Sequence, residues 1–419
     1  MDKKRLSLGE KEVRRLQMLT LVLEGRVSLK AAAEKLGLSY RQTKRLMRRL
    51  KKKGARALVH GNRGREPANR MSQERRREIV ALAREKYALF NDSHLKEMLW
   101  EEERIDLGRE TLRRILRASG LPPKKARKPR RHHRRRPRKR QEGLMMLWDG
   151  SPHHWFGESE PPCCLMATMD DASGRLLAAR FFPQECSAGY LWLLDRVVRR
   201  YGIPRSVYQD RHGALHRNDP YWSLEEQMRG RRDPTQVGAA LEALGIEPIR
   251  ALTPQAKGRV ERLFGILQDR LVAELALHGI REIVSANLFL RDSYIERHNR
   301  RFIVEPAEAQ SAFAPVPQGL DVRRIVSFHY EATVGNDNAV RLGGLIIDVP
   351  PGPTRRSYAK ARVEVRQLLD GSWRVYYHGQ LIARHARTPL REPRRVRRPG
   401  KTPLKGAREW LWIYLASKS

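Results

Sequence analysis

Between Lys124 and Arg140 twelve of seventeen residues are Lys or Arg, none is acidic, and Pro129 and Pro137 interrupt any regular element. Such a run repels itself and has almost nothing apolar to bury, so it stays extended until a polyanion orders it. It therefore separates whatever folds before it from whatever folds after it. The rest of the chain carries the same bias, with 85 Lys and Arg against 47 Asp and Glu and a formal charge of +38. The 419 residues leave room for about two to four domains, and the charge favours a polyanionic partner, nucleic acid being the obvious one; ribosomal proteins share the bias but are usually much shorter. No apolar run approaches the ~20 residues that span a bilayer. Met1 to Arg5 leads into a charged amphipathic stretch rather than the apolar core of a signal peptide, so the expected location is the cytoplasm, on the nucleoid. Cys163, Cys164 and Cys186 are odd in number and lack metal-ligand spacing, and His132 and His133 have no acid or Cys beside them. Neither a disulfide framework nor a structural zinc site is expected.

Ahead of the basic run the apolar pattern is helical. In residues 6–54, Val13, Leu16, Leu19 and Val22 form a stripe that stops at Gly25. Ser28 then caps a short helix carrying Ala32, Ala33 and Leu36, Gly37 allows a tight turn, and Ser39 caps a second helix running through Leu50. This is the pattern of a helix-turn-helix. Leu46 faces inward, while Thr43 stands where such motifs often carry Val or Ile. The second helix presents Arg41, Gln42, Lys44, Arg45 and Arg48, side chains suited to base edges and flanking phosphates; the plainer alternative is a solvated basic helix in a bundle. Residues 72–120 repeat the helical pattern in three stripes and end at Gly120, with Arg109, Arg113, Arg114 and Arg117 on the last helix. They form a second helix-turn-helix or a helical unit that contacts protein alone. Residues 121–142 are the basic linker.

Beyond the linker, apolar runs end in acids. Leu144 to Trp148 leads into Asp149, and Ser206 to Gln209 leads into Asp210. In an open α/β sheet, strand ends are where sites assemble. A third carboxylate, Glu261, follows Pro254 and opens a helix with Leu263, Phe264, Leu267 and Leu271 on its inner face. Alone, Glu261 would be a surface residue paired with Lys257, worth a few tenths of a kcal/mol, roughly. Three carboxylates brought together empty would repel, so their convergence implies divalent cations. Two Mg²⁺ ions roughly 3.5–4 Å apart can activate an attacking oxygen and stabilise a leaving one in phosphodiester displacement. Lys257, Arg259 and Arg262 surround Glu261 and are candidates to hold a DNA end. Asp170 and Asp171 precede Ala-Ser-Gly and suggest a hairpin turn instead of a ligand set. The order strand, strand, strand, helix, strand precedes the helix of Glu261; residues 219–235 are expected as a loop and residues 246–249 as a short buried strand.

Asp149 in Leu147-Trp148-Asp149-Gly150-Ser151, Asp210 in Val207-Tyr208-Gln209-Asp210-Arg211-His212-Gly213, and Glu261 in Gln255-Ala256-Lys257-Gly258-Arg259-Val260-Glu261-Arg262 resemble the catalytic triad of insertion-sequence transposases of the retroviral-integrase superfamily, in particular the ISNCY-type group. Met169 to Ser173 and Tyr294 to Phe302 extend the resemblance over most of residues 143–311. It implies an RNase H-like α/β core in which Asp149, Asp210 and Glu261 are catalytic and hold two Mg²⁺ ions, with Mn²⁺ as a substitute. It also implies an Mg-dependent polynucleotidyl transferase that binds element ends, cuts and joins them to target DNA, and works as a homo-oligomer on paired ends. The rival readings are a DNA-binding regulator with an inactive integrase-like domain and a structure-selective Mg-dependent nuclease. A tyrosine recombinase would need an Arg-His-Arg-Tyr cluster, which does not surround Tyr208.

From about Ile325 the period changes to that of short strands, at residues 326–330, 345–349, 361–365 and 373–377, separated by Gly, Asn or Pro. Residues 320–387 are thus expected to form a small β-barrel, followed by a basic tail over 388–419 in which Trp410 to Leu415 would dock on a partner subunit or on the barrel. The expected architecture is multidomain: all-α helix-turn-helix modules, an α/β core, and the barrel.

Overall fold

The computed structural model describes residues 8–63, 70–124, 136–210, 212–217, 220–250, 258–353 and 356–390. Most of the basic run, Lys257 with the segment before it, and the tail with Trp410 to Leu415 lie outside the described residues. The chain forms two compact units, divided at Ile79.

In the first unit, helices α1 (Glu10–Leu23), α2 (Leu29–Leu36) and α3 (Tyr40–Lys53) are followed by a 3₁₀ turn at Ala55–Leu58. The caps are the expected ones. Ser28 Oγ accepts from Ala31 N and Ser39 Oγ from Gln42 N, both at 3.2 Å, and Gly37 takes the left-handed conformation, φ 63°, that lets α2 stop and α3 turn away. Leu19, Met47, Leu50 and Leu58 make the core. Thr43 is also fully buried, and its hydroxyl donates to Ser39 O at 3.1 Å, so the position usually given to Val or Ile is filled without an unpaired polar group. Helix α4 (Gln73–Glu85) runs across the division.

The second unit continues with α5 (Asp92–Glu101) and α6 (Arg109–Ala118). Its centre is a mixed five-stranded sheet of β1 (Met146–His153), β2 (Cys163–Asp170), β3 (Leu176–Phe182), β4 (Ser206–Gln209) and β5 (Glu247–Arg250), in the order β3-β2-β1-β4-β5. The first three strands form an antiparallel meander; β4 lies parallel to β1, and β5 parallel to β4. Helix α7 (Ser187–Tyr201) crosses over from β3 to β4, and α8 (Leu224–Arg229) and α9 (Gln236–Ala243) lead to β5. The chain order of three strands, a helix, a strand and a later helix that begins at Gly258 is the expected one. Along β1 the alternation is strict. Met146 and Trp148 pack with Leu191, Leu194 and Val198 of α7; Leu147 packs with Val260, Leu263 and Leu267 of α10 (Gly258–Leu277) on the other face. Near-continuous apolar strands result because both faces are covered.

Two local expectations change. Residues 246–249 were expected as a buried strand; Ile246 is buried, but β5 is largely exposed at the sheet edge, where Pro248 costs no ladder hydrogen bond. The expected loop contains α8, closed by a capping box in which Ser223 and Glu226 bond each other's backbone. Asp170 and Asp171 do turn the β2–β3 hairpin: Asp170 Oδ1 accepts from Ala172 N and Ser173 N.

Helix α5 packs onto the core through a buried ionic cluster. Glu274 of α10 accepts from His94 Nε2 at 3.0 Å and pairs with Arg297 of α12 (Ile295–Phe302), while Glu97 holds Arg270 and Arg301. Burial pushes the Glu274 carboxyl up, but His94 and Arg297 outweigh it and leave the pKa below its ordinary value. His298 lies in the same cluster, and burial with the charge of Arg270 lowers it to about 4. Its neutral form is the native one. Stability is therefore complete above the unfolded pKa of about 6.5 and lost as pH falls from there toward 4, by about 3 kcal/mol at most. Urea denaturation between pH 7 and pH 4 reads this, and His298→Phe, which cannot take a proton, should flatten part of the slope.

Beyond α12, β6 (Phe328–Thr333), β9 (Arg362–Gln367), β10 (Trp373–Tyr377) and β11 (Gln380–His385) make an antiparallel sheet ordered β11-β10-β9-β6, and β7 (Ala339–Leu342) pairs with β8 (Leu345–Asp348) in a separate ribbon. The expected barrel is not closed: both sheets are open. Val363, Val365, Val375 and Ala383 gain their burial by packing against Val340 and Ile347 of the ribbon, so the alternation that suggested closure is satisfied by one sheet covering another. Among the described residues no helix is long and apolar enough to cross a membrane.

Candidate active site

The site follows from strand register. Met146 pairs with Val207 and Leu147 with Tyr208, a constant step of 61 that carries Asp149 to Asp210. The ladder itself ends at Leu147 and Tyr208; continued two residues, the same step brings Asp210, one residue past the end of β4, level with Asp149 inside β1. Side chains alternate along a strand, and both acids share the parity of Leu147 and Tyr208, which pack with α10. Both are half-buried. Asp149 Oδ1 accepts from Gly150 N at 3.1 Å and Asp210 Oδ1 from His212 N at 2.8 Å. Their charges also register at Tyr190: burial first, then Glu185 and the two aspartates, push its phenol well above the ordinary value.

Glu261 stands exposed in the first turn of α10. That helix is laid along the aspartate face by Val260, Leu263, Phe264 and Leu267, and its register along β1 is marked by Gln268, whose Nε2 donates to Ser151 Oγ at 3.1 Å. Residues seven apart share a helix side, so Glu261 and Gln268 lie on one stripe, and Ser151 is two residues beyond Asp149 on the same strand face. Among the described residues no group of three or more His, Cys, Asp and Glu side chains is placed to hold a metal ion. Asp149 in β1 and Asp210 just past β4 are carboxylates, the hard oxygen donors that Mg²⁺ takes.

The basic residues near Glu261 divide. Arg259 pairs with the buried Asp171 and donates to Arg136 O, so its guanidinium ties the start of α10 to the hairpin turn and to the end of the linker. Burial lowers its pKa and the charge of Asp171 opposes that. Arg262 is exposed, and Lys257 lies outside the described residues. In the first unit, Arg41, Gln42, Lys44, Arg45 and Arg48 are all exposed on α3, while Thr43, Met47 and Leu50 fill its inner face. The five residues expected to meet DNA share one uninterrupted surface. In the second unit Arg113 and Arg114 pair with Glu110, and Arg117 pairs with Asp92.

One acid at the site escaped the sequence reading. Glu185, between β3 and α7, accepts from Tyr190 Oη at 2.5 Å and lies 3.4 Å from His212 Nδ1. Its only signal was indirect, in the glycine that follows Asp149, because a Cβ at Gly150 would meet the Glu185 carboxyl.

An exposed basic helix on a helix-turn-helix scaffold, joined to a mixed sheet with two acids abreast at a strand end, marks a DNA-binding protein with an α/β core. A family model described as a helix-turn-helix domain matches residues 14–66. The chain is 33% identical over 378 residues to "Putative transposase y4bF" of Sinorhizobium fredii (strain NBRC 101917 / NGR234), covering 90% of this chain and 81% of that one. It is also 33% identical over 325 residues to the transposase for insertion sequence IS1202 of Streptococcus pneumoniae, covering 70% and 68%. This chain belongs to the insertion-sequence transposases. Among solved structures, a simian T-cell lymphotropic virus intasome chain matches with 16% identity and a TM-score of 0.28, over 75% of this chain and all of that one. The HTLV-2 integrase catalytic core domain in complex with magnesium matches with 15% identity and a TM-score of 0.20, over 37% and 88%.

Proposed function

We propose that this transposase cuts DNA at the ends of its element and joins the freed ends to target DNA, with Asp149 and Asp210 as the fixed half of a metal-dependent site and Glu261 completing it from α10. The observation that supports the reading is the register of β1 and β4, by which Asp149 and Asp210 would stand side by side on the face that α10 covers. Asp149 and Asp210 would hold divalent cations, Mg²⁺ or Mn²⁺, whose Lewis acidity would activate a phosphodiester toward attack. Glu261 would come into range as the first turn of α10 settles on bound DNA. Arg262 beside it, and Lys257 just before it, would meet the phosphates of the DNA end. Arg41, Gln42, Lys44, Arg45 and Arg48 would read the element ends from the major groove, with backbone contacts setting register and base contacts setting sequence.

The experiment is end binding and joining by the purified full chain, on duplexes carrying the inverted repeats that flank its gene, with Mg²⁺. Joining supports the transferase; specific binding without cleavage would favour an inactive end-binding regulator, against which the presence of all three acids speaks, and cleavage without joining would favour a nuclease. Arg45→Ala should weaken end binding about tenfold and reduce the slope of log K against log salt by about 1 if Arg45 meets a phosphate, or relax specificity at one base pair if it meets a base. Unchanged affinity, slope and specificity would remove Arg45 from the interface. Pairing two ends calls for at least two copies of the chain; light scattering on paired-end DNA should report a dimer or larger particle, and monomers would count against it.

A further inference from the structure

We propose that Glu185 is a positioning residue of this site, holding the turn that carries Asp210 against the strand that carries Asp149. The proposal rests on the reading of Asp210 as catalytic. Glu185 lies at the junction of β3 and α7, just before the α7 N-cap Cys186, and its side chain folds flat over the backbone of β1. A Cβ on Gly150 would lie 2.5 Å from its Oε2, 2.7 Å from its Cδ and 2.8 Å from its Cγ. The carboxylate therefore reaches this place only because the residue after Asp149 has no side chain. Tyr190 Oη, from a fully buried ring one turn into α7, donates to Oε1. On the other side His212 Nδ1 stands 3.4 Å from the same oxygen, and the His212 backbone N–H donates to Asp210 Oδ1.

Tyr190, Glu185, His212 and Asp210 thus form a chain of contacts from the α7 core to the catalytic carboxylate. Asp210, His212 and Ala214 lie outside strand and helix; this chain of contacts adds to the backbone bonds that Leu215 N and His216 N donate to His212 O, and Ala214 N donates to His212 Nδ1 at 3.3 Å. His212 Nδ1 accepts from Ala214 N, and in the tautomer with its proton on Nδ1 the same nitrogen donates toward Glu185 Oε1 instead. Glu185 thus bears on the orientation of His212, and His212 in turn presents its backbone N–H to Asp210. Residues that orient the groups at a site in this way typically carry 10–100-fold, in order of magnitude, of its activity.

Glu185→Ala should lower kcat for joining about 10–100-fold, leave KM for end DNA unchanged, and speed hydrogen exchange of the His212 amide in metal-free protein at least about tenfold, while β1–β2 amides and the melting temperature stay as in the wild type. Gly150→Ala should reproduce the faster His212 exchange by displacing the carboxyl. Glu185→Gln, which keeps an acceptor for Tyr190, should fall between wild type and Glu185→Ala. Wild-type kcat and wild-type His212 exchange in Glu185→Ala would overturn the proposal, as would a general loss of protection across the sheet, which would mean a merely structural role. Should the wild type itself fail to join ends, the reading of the site fails, and the exchange arm alone still decides whether Glu185 holds the Asp210 turn.

Discussion

Asp210→Asn should abolish end joining, by on the order of 10³-fold or more, with the melting temperature essentially unchanged. The scale is that of losing a charged group poised at a reacting centre. The fold should survive because Asp210 lies one residue past the end of β4 and half-buried, and an amide of the same shape still accepts from His212 N. Asp149→Asn should do the same, and the double variant should be little worse than either, because groups that act as a unit are not additive. Asp195 provides the control. It is also a carboxylate on the core, but it sits on α7 and pairs with Arg199 four residues on, so Asp195→Asn should leave joining intact. Equal losses at Asp195 and Asp210 would mean that the assay reads net charge rather than a site.

The largest stability effect is expected at Glu274. This carboxylate is 5% exposed and is the common partner of His94 from α5 and Arg297 from α12. Replacing it with Ala leaves a guanidinium and a buried imidazole facing a cavity. Breaking one side of a buried ion pair costs about 3–5 kcal/mol, and at about 2–4 °C per kcal/mol for a unit of this size the melting temperature should fall on the order of 10 °C. The loss should be local as well as global, because α5 holds its inner residues Leu95, Met98 and Leu99 buried. Faster hydrogen exchange of α5 than of β1 in Glu274→Ala would show the undocking. Glu296→Ala is the contrast: its pair with Arg300 is about three-quarters exposed on both sides, and such pairs contribute little.

What could be read from residues alone follows how local each feature is. The caps at Ser28 and Ser39 and the turn at Gly37 involve neighbours three residues away, so α2 and α3 were legible, as were the five exposed side chains of α3. Asp210 was legible as a strand end, since it closes an apolar run; Asp149 was read as one too, but β1 continues past it to His153, because the paired strand continues even though the apolar run stops. That they stand abreast was not legible, because the register of β1 with β4 is a pairing 61 residues apart. Glu185 was missed for the same reason: its partners come from β1, α7 and the turn after β4. The Glu97 and Glu274 cluster joins residues about 175 positions apart, and nothing within α5 signals that its polar side chains turn inward. The helix α8 was legible and overlooked, since Ser223 and Glu226 have capping-box spacing. The barrel was overread. Alternation along a strand reports that one face is buried, but not whether the last strand returns to the first.

The central claim is that Asp149 and Asp210 together form the seat of a divalent cation. Iron(II) put in place of Mg²⁺, with ascorbate and peroxide, cleaves the backbone beside wherever the ion binds, and the fragments can be mapped in full-length protein. The account predicts cuts in β1 around Asp149 and at the end of β4 around Asp210, suppressed by excess Mg²⁺ and absent from the Asp149→Asn, Asp210→Asn double variant. Cuts confined to other parts of the chain, or cuts at β1 and β4 that persist in the double variant, would contradict it.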